Sequence, residues 1–167
     1  SSDVSSSDLA MLPSPTASIP PVPALIRAAD LATRALPPRA PILEPLLAQK
    51  SLMMLYGPRG LGKTHVALGI AWAAASGQGF LKWTAPRPHR VVYVDGEMAA
   101  IDMQQRLRAM GPVPATLDFL IADLNPMAGI ADLCTRDGQE ALIRAWGRKP
   151  DLLVLDNLAS LVGDRKS

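Results

Sequence analysis

Apolar positions along this chain fall into short unbroken runs alternating with longer interrupted ones. The short runs are 51–56 (SLMMLY), 90–95 (RVVYVD), 117–122 (LDFLIA) and 151–156 (DLLVLD). Each has strand length, and the near-continuous apolar stretches within them imply burial on both faces, as in a parallel sheet. Between them, 63–76, 99–110 and 137–148 read as helices, with Ile101, Leu107 and Met110 forming a core stripe on the second. Strands alternating with helices predict an α/β fold, a three-layer arrangement in which helices cover a mostly parallel sheet.

The N-terminal part follows another pattern. Ser1 to Pro23 is rich in Ser and Pro and predicts an extended, flexible segment. Ala24 to Leu36 fits one amphipathic helix with Leu25, Ala28, Ala29 and Ala32 on one face, stopped by Pro37-Pro38. Residues 1–40 therefore read as a flexible segment with a short helix, and 41–167 as the folded domain. No internal repeat is present.

Between the first strand and the first helix lies GPRGLGKT, Gly57 to Thr64, which fits the pattern Gly, four residues, Gly, Lys, Ser or Thr. Gly57, Gly60 and Gly62 allow backbone conformations that a Cβ resists, so successive N–H groups can turn inward around a phosphate. The helix start adds unpaired N–H groups and the positive end of its dipole. Lys63 is placed to reach the β- and γ-phosphates of a nucleotide, and the Thr64 hydroxyl to bind Mg²⁺. Pro58, Arg59 and Leu61 fill the variable positions, and His65 closes a candidate nucleotide-binding run from Gly57 to His65. Arg59 reads as a solvated loop residue, and local packing or solvent accounts for His65. A glycine-rich turn with a chance Lys-Thr is the competing reading; the strand before it and the helix after it weigh against that.

Two acidic elements complete the candidate chemistry. Asp156 ends the run Leu152 to Leu155, at the carboxyl edge where ligands bind in open α/β sheets, and is the candidate Mg²⁺ residue. An Asp capping a strand-to-loop turn is the plainer alternative. The next residue, Asn157, carries an amide that cannot accept a proton at neutral pH, so a base for hydrolysis must come from elsewhere. Asp95 and Glu97 sit at the carboxyl edge of the strand 90–95, two residues apart and so on one side of an extended chain. Glu97 is the candidate catalytic base alongside Lys63, with Asp95 in support.

Composition narrows the picture. Apolar residues make up 49% of the chain but aromatics only 4%, so the core must be built from Ala, Leu, Val, Ile and Met. A net charge of +2 gives no electrostatic footprint for nucleic acid, and the clusters at Arg87 to Arg90 and Arg106/Arg108 read as solvated surface. The single Cys134 excludes an intramolecular disulfide and a Cys-rich metal site. No secretory signal is visible, and the longest apolar run, Val66 to Ala75, is too short to span a bilayer, which predicts a cytoplasmic protein without membrane contact.

The phosphate loop, a strand ending in D-G-E-M, and a strand reading LLVLDN followed by LASL together resemble the RecA-like ATPases. Within them the chain is most similar to the RepA-type plasmid replication helicases and their AAA-family relatives, over roughly Leu46 to Val162 including Ile130 to Trp146. The resemblance implies a RecA-like core, ATP with Mg²⁺, release of ADP, assembly into a homo-oligomeric ring and movement on single-stranded DNA. It carries the phosphate-loop role to Gly57, Gly60, Gly62, Lys63 and Thr64, the general base to Glu97 and the Mg²⁺ ligand to Asp156. It also implies further strands after the Asp156 strand, with a polar sensor residue and an arginine finger. As the sequence given stops at Ser167, the expectation is the N-terminal part of such a domain with its C-terminal strands missing. The 51–56 strand would then pair directly with the Asp156 strand or leave a gap exposing apolar surface. A small-molecule kinase and a nucleotide-binding regulatory module without turnover are the alternative functions.

Overall fold

The computed structural model describes residues 23–125, 130 and 132–162. The Ser/Pro-rich stretch before Pro23 and the segment Arg165 to Ser167 lie outside them. Residues 1–37 and 38–167 form separate units. In the first unit the helix expected over 24–36 is confined to α1, Ala28–Thr33, and none of its residues is buried. Arg27 and Arg34 on either side have extended backbones and supply no side-chain cap. An isolated helix gains nothing from packing, so six residues without a covered face have little to extend them.

The second unit begins with a short antiparallel pair, β1 (Pro41–Leu43) and β2 (Leu47–Ala48), and continues into α2 (Lys63–Ser76). A hairpin of β3 (Gly79–Phe80) and β4 (Trp83–Thr84) leads to β5 (Val91–Asp95) and α3 (Ala100–Met110). There follow β6 (Leu117–Ile121), a single 3₁₀ turn (Ala122–Leu124), α4 (Arg136–Trp146), β7 (Leu152–Asp156) and α5 (Leu158–Leu161). Three strands make a parallel sheet in the order β6-β5-β7, with Val91 beside both Leu117 and Leu152, and Asp95 beside Asp156. The fold is thus α/β with a parallel sheet, as the alternation of runs predicts.

Every residue of β5 is buried, as the central position requires, whereas those of β7 are half-buried. One face of the sheet presents Val91, Tyr93, Leu117 and Ile121 to Leu68, Ala71, Ala74 and Ala75 of α2 and to Met103 of α3. The other presents Val92 and Val94, with Leu120, Leu153 and Leu155 beside them, to Leu142 of α4 and Leu161 of α5. Small alanines let α2 lie close to the strands, and aliphatic residues supply the bulk that the few aromatics do not.

The expected strand over 51–56 is the main departure. Residues 51–58 form no strand and are exposed, Leu52 at 95% and Tyr56 at 87%. Direct pairing with β7 is therefore not formed. Among the described residues no strand lies against the outer edge of β7, and an apolar run holds an extended ladder only where neighbouring N–H and C=O groups pair with it. The two short hairpins and α5 were not foreseen, because elements of two to four residues carry no measurable periodicity. Among the described residues, no helix is long and apolar enough to cross a membrane.

At the amino edge of the sheet, His89 is buried at 1% exposure and neither ring nitrogen has a hydrogen-bond partner. Its Nδ1 lies 3.6 Å from Asp151 Oδ2, a carboxylate that accepts the Arg90 backbone N–H at 3.1 Å. Burial, followed by the nearby Arg87 charge, lowers the His89 pKa from its ordinary 6.5, against an opposing pull from Asp151. The folded state thus prefers neutral His89, while the unfolded chain takes up a proton below that ordinary value. Stability is full above the unfolded pKa and declines as pH falls through it. Urea unfolding is expected to show this decline between about pH 7.5 and pH 5.5, and His89→Phe is expected to flatten it.

Candidate functional site

The carboxyl ends of β5 and β7 and the amino end of α2 converge on an open cleft of about 390 Å³. Thr64, in the first turn of α2, lines it together with Asp95, Glu97, Asp102, Asp156 and Asn157, and the chain at Met98–Ala99 closes one side. Three separate stretches of sequence meet here because β5 and β7 are adjacent and in register, which brings Asp95 opposite Asp156.

The loop before α2 is set by its backbone. Gly60 and Gly62 have φ of 83° and 78°, and a Cβ at either would meet nothing within 4 Å, so conformation and not space selects glycine there. Gly62 is the cap residue of α2. Lys63 curls back over the loop, its Nζ donating to Gly57 O and Pro58 O at 2.8 Å each. Lys63 and the run Gly57 to Gly62 do not line the cleft, although Thr64 beside them does. Pro58, Arg59, Leu61 and His65 are exposed.

Asp95 is 2% exposed, and its Oδ1 accepts the backbone N–H groups of Glu97 at 3.0 Å and Met98 at 2.6 Å. Burial pushes its pKa up, the two backbone donors oppose this, and the neighbouring Asp156 and Glu97 charges add to the rise. Its Oδ1 thus fixes the turn that carries Glu97 at the edge of the cleft. Asp123 steadies the next step by accepting the Ala100 N–H at 2.9 Å at the start of α3.

Gly96 lies between the two acids and its N–H donates to Asp156 O at 2.9 Å. A Cβ at Gly96 would sit 2.4 Å from Ser160 Oγ and 2.8 Å from Leu161 Cδ2, so a larger residue would force these side chains of α5 to shift. Gly96→Ala is expected to cost about 2 kcal/mol, read by urea unfolding, as overpacking of a tight contact does.

Asn157 divides its amide between two partners: Oδ1 accepts the Ser160 N–H at 3.0 Å, capping α5, and Nδ2 donates to Glu97 Oε2. The Asp156–Asn157 peptide is cis. Asp156 Oδ2 accepts the Tyr93 hydroxyl at 2.6 Å, and Tyr93 is wholly buried against Phe119, ring centroids 5.3 Å apart. Burial, and then the bond to Asp156, push the Tyr93 hydroxyl pKa far upward.

Among the described residues no three His, Cys, Asp or Glu side chains form a cluster able to hold a metal. The hydroxyl of Thr64 and the carboxylate of Asp156, facing one cleft, are instead a sparse set of hard oxygen donors. Mg²⁺ bound together with substrate phosphates uses sets of this kind, one or two protein oxygens with the rest from phosphate and water, so these residues fit it.

Sequence reasoning singled out Thr64, Asp95, Glu97 and Asp156, and these do come together. It missed Tyr93, Asn157 as a partner of Glu97, and Asp102. The Tyr93 hydroxyl is the one polar side-chain group in VVYV, and a buried tyrosine hydroxyl needs a partner; that was a usable signal. The contact between Asn157 and Glu97 left none, because it depends on strand order.

A phosphate loop leading into a helix, beside a parallel sheet whose carboxyl edge carries acidic residues, defines the class of P-loop ATPases. The chain matches the AAA domain family over residues 16–167, and it belongs to that family. AAA domains are nucleotide-binding ATPases that use ATP with Mg²⁺. No curated protein matches the chain.

Proposed function

We propose that residues 41–167 form the ATP-binding part of a motor ATPase that binds Mg·ATP at Gly57–Thr64, hydrolyses it with Glu97 as base, and works on single-stranded DNA as a homo-oligomeric ring. The observation that carries the nucleotide reading is the convergence of Thr64, Glu97 and Asp156 on one cleft at the amino end of α2. The motor, ring and DNA readings are supported only by the resemblance of D-G-E-M and LLVLDNLASL to the RepA-type helicases.

Gly57, Gly60 and Gly62 would wrap the phosphates with backbone N–H groups, and Lys63 would leave the carbonyls of Gly57 and Pro58 for phosphate oxygens. Thr64 and Asp156 would hold Mg²⁺, which supplies charge neutralisation on the transferred phosphoryl group. Glu97, held at the cleft mouth by Asn157 and by the Asp95 turn, would accept the proton of a water attacking the γ-phosphorus as the bond to ADP breaks. Binding by calorimetry and turnover by phosphate release test the reading. Turnover raised by single-stranded DNA supports the motor, turnover raised only by a small metabolite supports the kinase alternative, and ATP affinity without turnover supports a regulatory module.

A further inference from the structure

We infer that Tyr93 is a positioning residue for the metal site: its hydroxyl holds one oxygen of the Asp156 carboxylate so that the other is presented to the cation. The inference rests on the proposed role of Asp156 as a Mg²⁺ ligand.

Tyr93 and Asp156 come from neighbouring strands, β5 and β7, and the hydroxyl of the first reaches the Oδ2 of the second at 2.6 Å. That is the short separation of a hydroxyl donating to a carboxylate with charge assistance. The ring cannot swing away. It is wholly buried, packs on Phe119 of β6, and belongs to the apolar cluster under α2. The carboxylate, by contrast, ends its strand half-buried at an open cleft and has no other side-chain partner within hydrogen-bond reach among the described residues. A rigid donor therefore fixes a ligand that its own backbone position leaves free to rotate. Pre-orientation of this kind matters because Mg²⁺ requires near-ideal octahedral geometry and would be held here by few protein oxygens. Groups that orient a metal ligand contribute about tenfold to a hundredfold in metal affinity. The same hydroxyl in an ordinary core would be a liability, since a buried donor costs free energy unless it is paired.

The test compares ATP affinity with and without Mg²⁺ for the wild-type chain, Tyr93→Phe and Asp156→Asn, using a non-hydrolysable fluorescent ATP analogue. Binding of Mn²⁺ to each protein–analogue complex is followed in parallel by electron paramagnetic resonance. Tyr93→Phe keeps the ring and its packing. It is expected to leave metal-free affinity near wild type, to cut the Mg²⁺-dependent gain about tenfold, and to weaken Mn²⁺ binding alike. A purely structural role would lower metal-free affinity too, and would leave the ratio with and without Mg²⁺ unchanged. That unchanged ratio in Tyr93→Phe, with the gain lost in Asp156→Asn, would overturn the positioning role while leaving Asp156 as the ligand. A full gain retained in Asp156→Asn would instead overturn the ligand assignment and this inference with it. If Tyr93→Phe melts early, Tyr93→Met offers a second apolar side chain at the site, and the same ratio decides.

Discussion

Lys63→Ala is expected to abolish nucleotide binding at concentrations where the wild-type chain is saturated. The ammonium at present donates to the carbonyls of Gly57 and Pro58, which places it over the loop that the phosphates would occupy. Phosphate oxygens are stronger acceptors than peptide carbonyls, because the bond to them is charge-assisted on both sides. Removing one partner of such a pair costs about 3 kcal/mol, a loss of roughly a hundredfold or more in affinity. Calorimetric titration with ATP and Mg²⁺ measures it. A Lys63→Ala protein that binds ATP within a few-fold of wild type would remove the phosphate loop from the proposed site. Folding is not expected to confound the result, since among the described residues the hydrogen bonds of the ammonium go to its own loop.

The second large effect is expected from Glu97→Gln: binding retained and turnover lost by about a hundredfold to ten-thousandfold, the span that positioned acid–base groups supply. Glutamine keeps the shape of the side chain and can still accept the Asn157 Nδ2 donor through its amide oxygen, but it cannot take a proton. Glu97 is exposed at the cleft, and the turn that carries it is held by Asp95 through backbone N–H groups, which the substitution leaves alone. The measurement is phosphate release at saturating ATP, beside an affinity titration of the same protein in the presence of Mg²⁺. Unchanged turnover would sink the assignment of Glu97 as base. Lost binding would mean that Glu97 holds the ligand and does not act on water.

These two residues also illustrate what could be read in advance. The glycine pattern and Lys63 need only local sequence, since the loop is continuous and its φ angles are a property of single residues such as Gly60 and Gly62. Glu97 could be nominated from its place past the strand 90–95, but not its partner. Asn157 lies sixty residues away and reaches Glu97 only because β5 and β7 are neighbours in the sheet. Asp95 was legible as support, yet the form of that support, a carboxylate turned back to cap two backbone N–H groups, depends on burial that no spacing rule gives.

The segment 51–56 shows the opposite case. It is an apolar run of strand length, and in the structure it forms no strand and is exposed. β-propensity describes how well a residue fits a half-buried pleated surface, and without a neighbour that surface is absent. The same six residues would read identically with or without a partner strand, so only the assembled sheet could decide.

By itself, then, the sequence determined the alternation of the three sheet strands with helices, those strands to within a residue or two, and the glycine positions of the loop before α2, because hydrophobic periodicity and glycine's conformational range are local properties. The tertiary structure decided which strands are neighbours, and with that the meeting of Thr64, Glu97 and Asp156, the bond from Tyr93 to Asp156 and the exposure of 51–56. Such contacts join residues far apart in the chain, and their energy comes from burial and pairing that exist only once the sheet has formed.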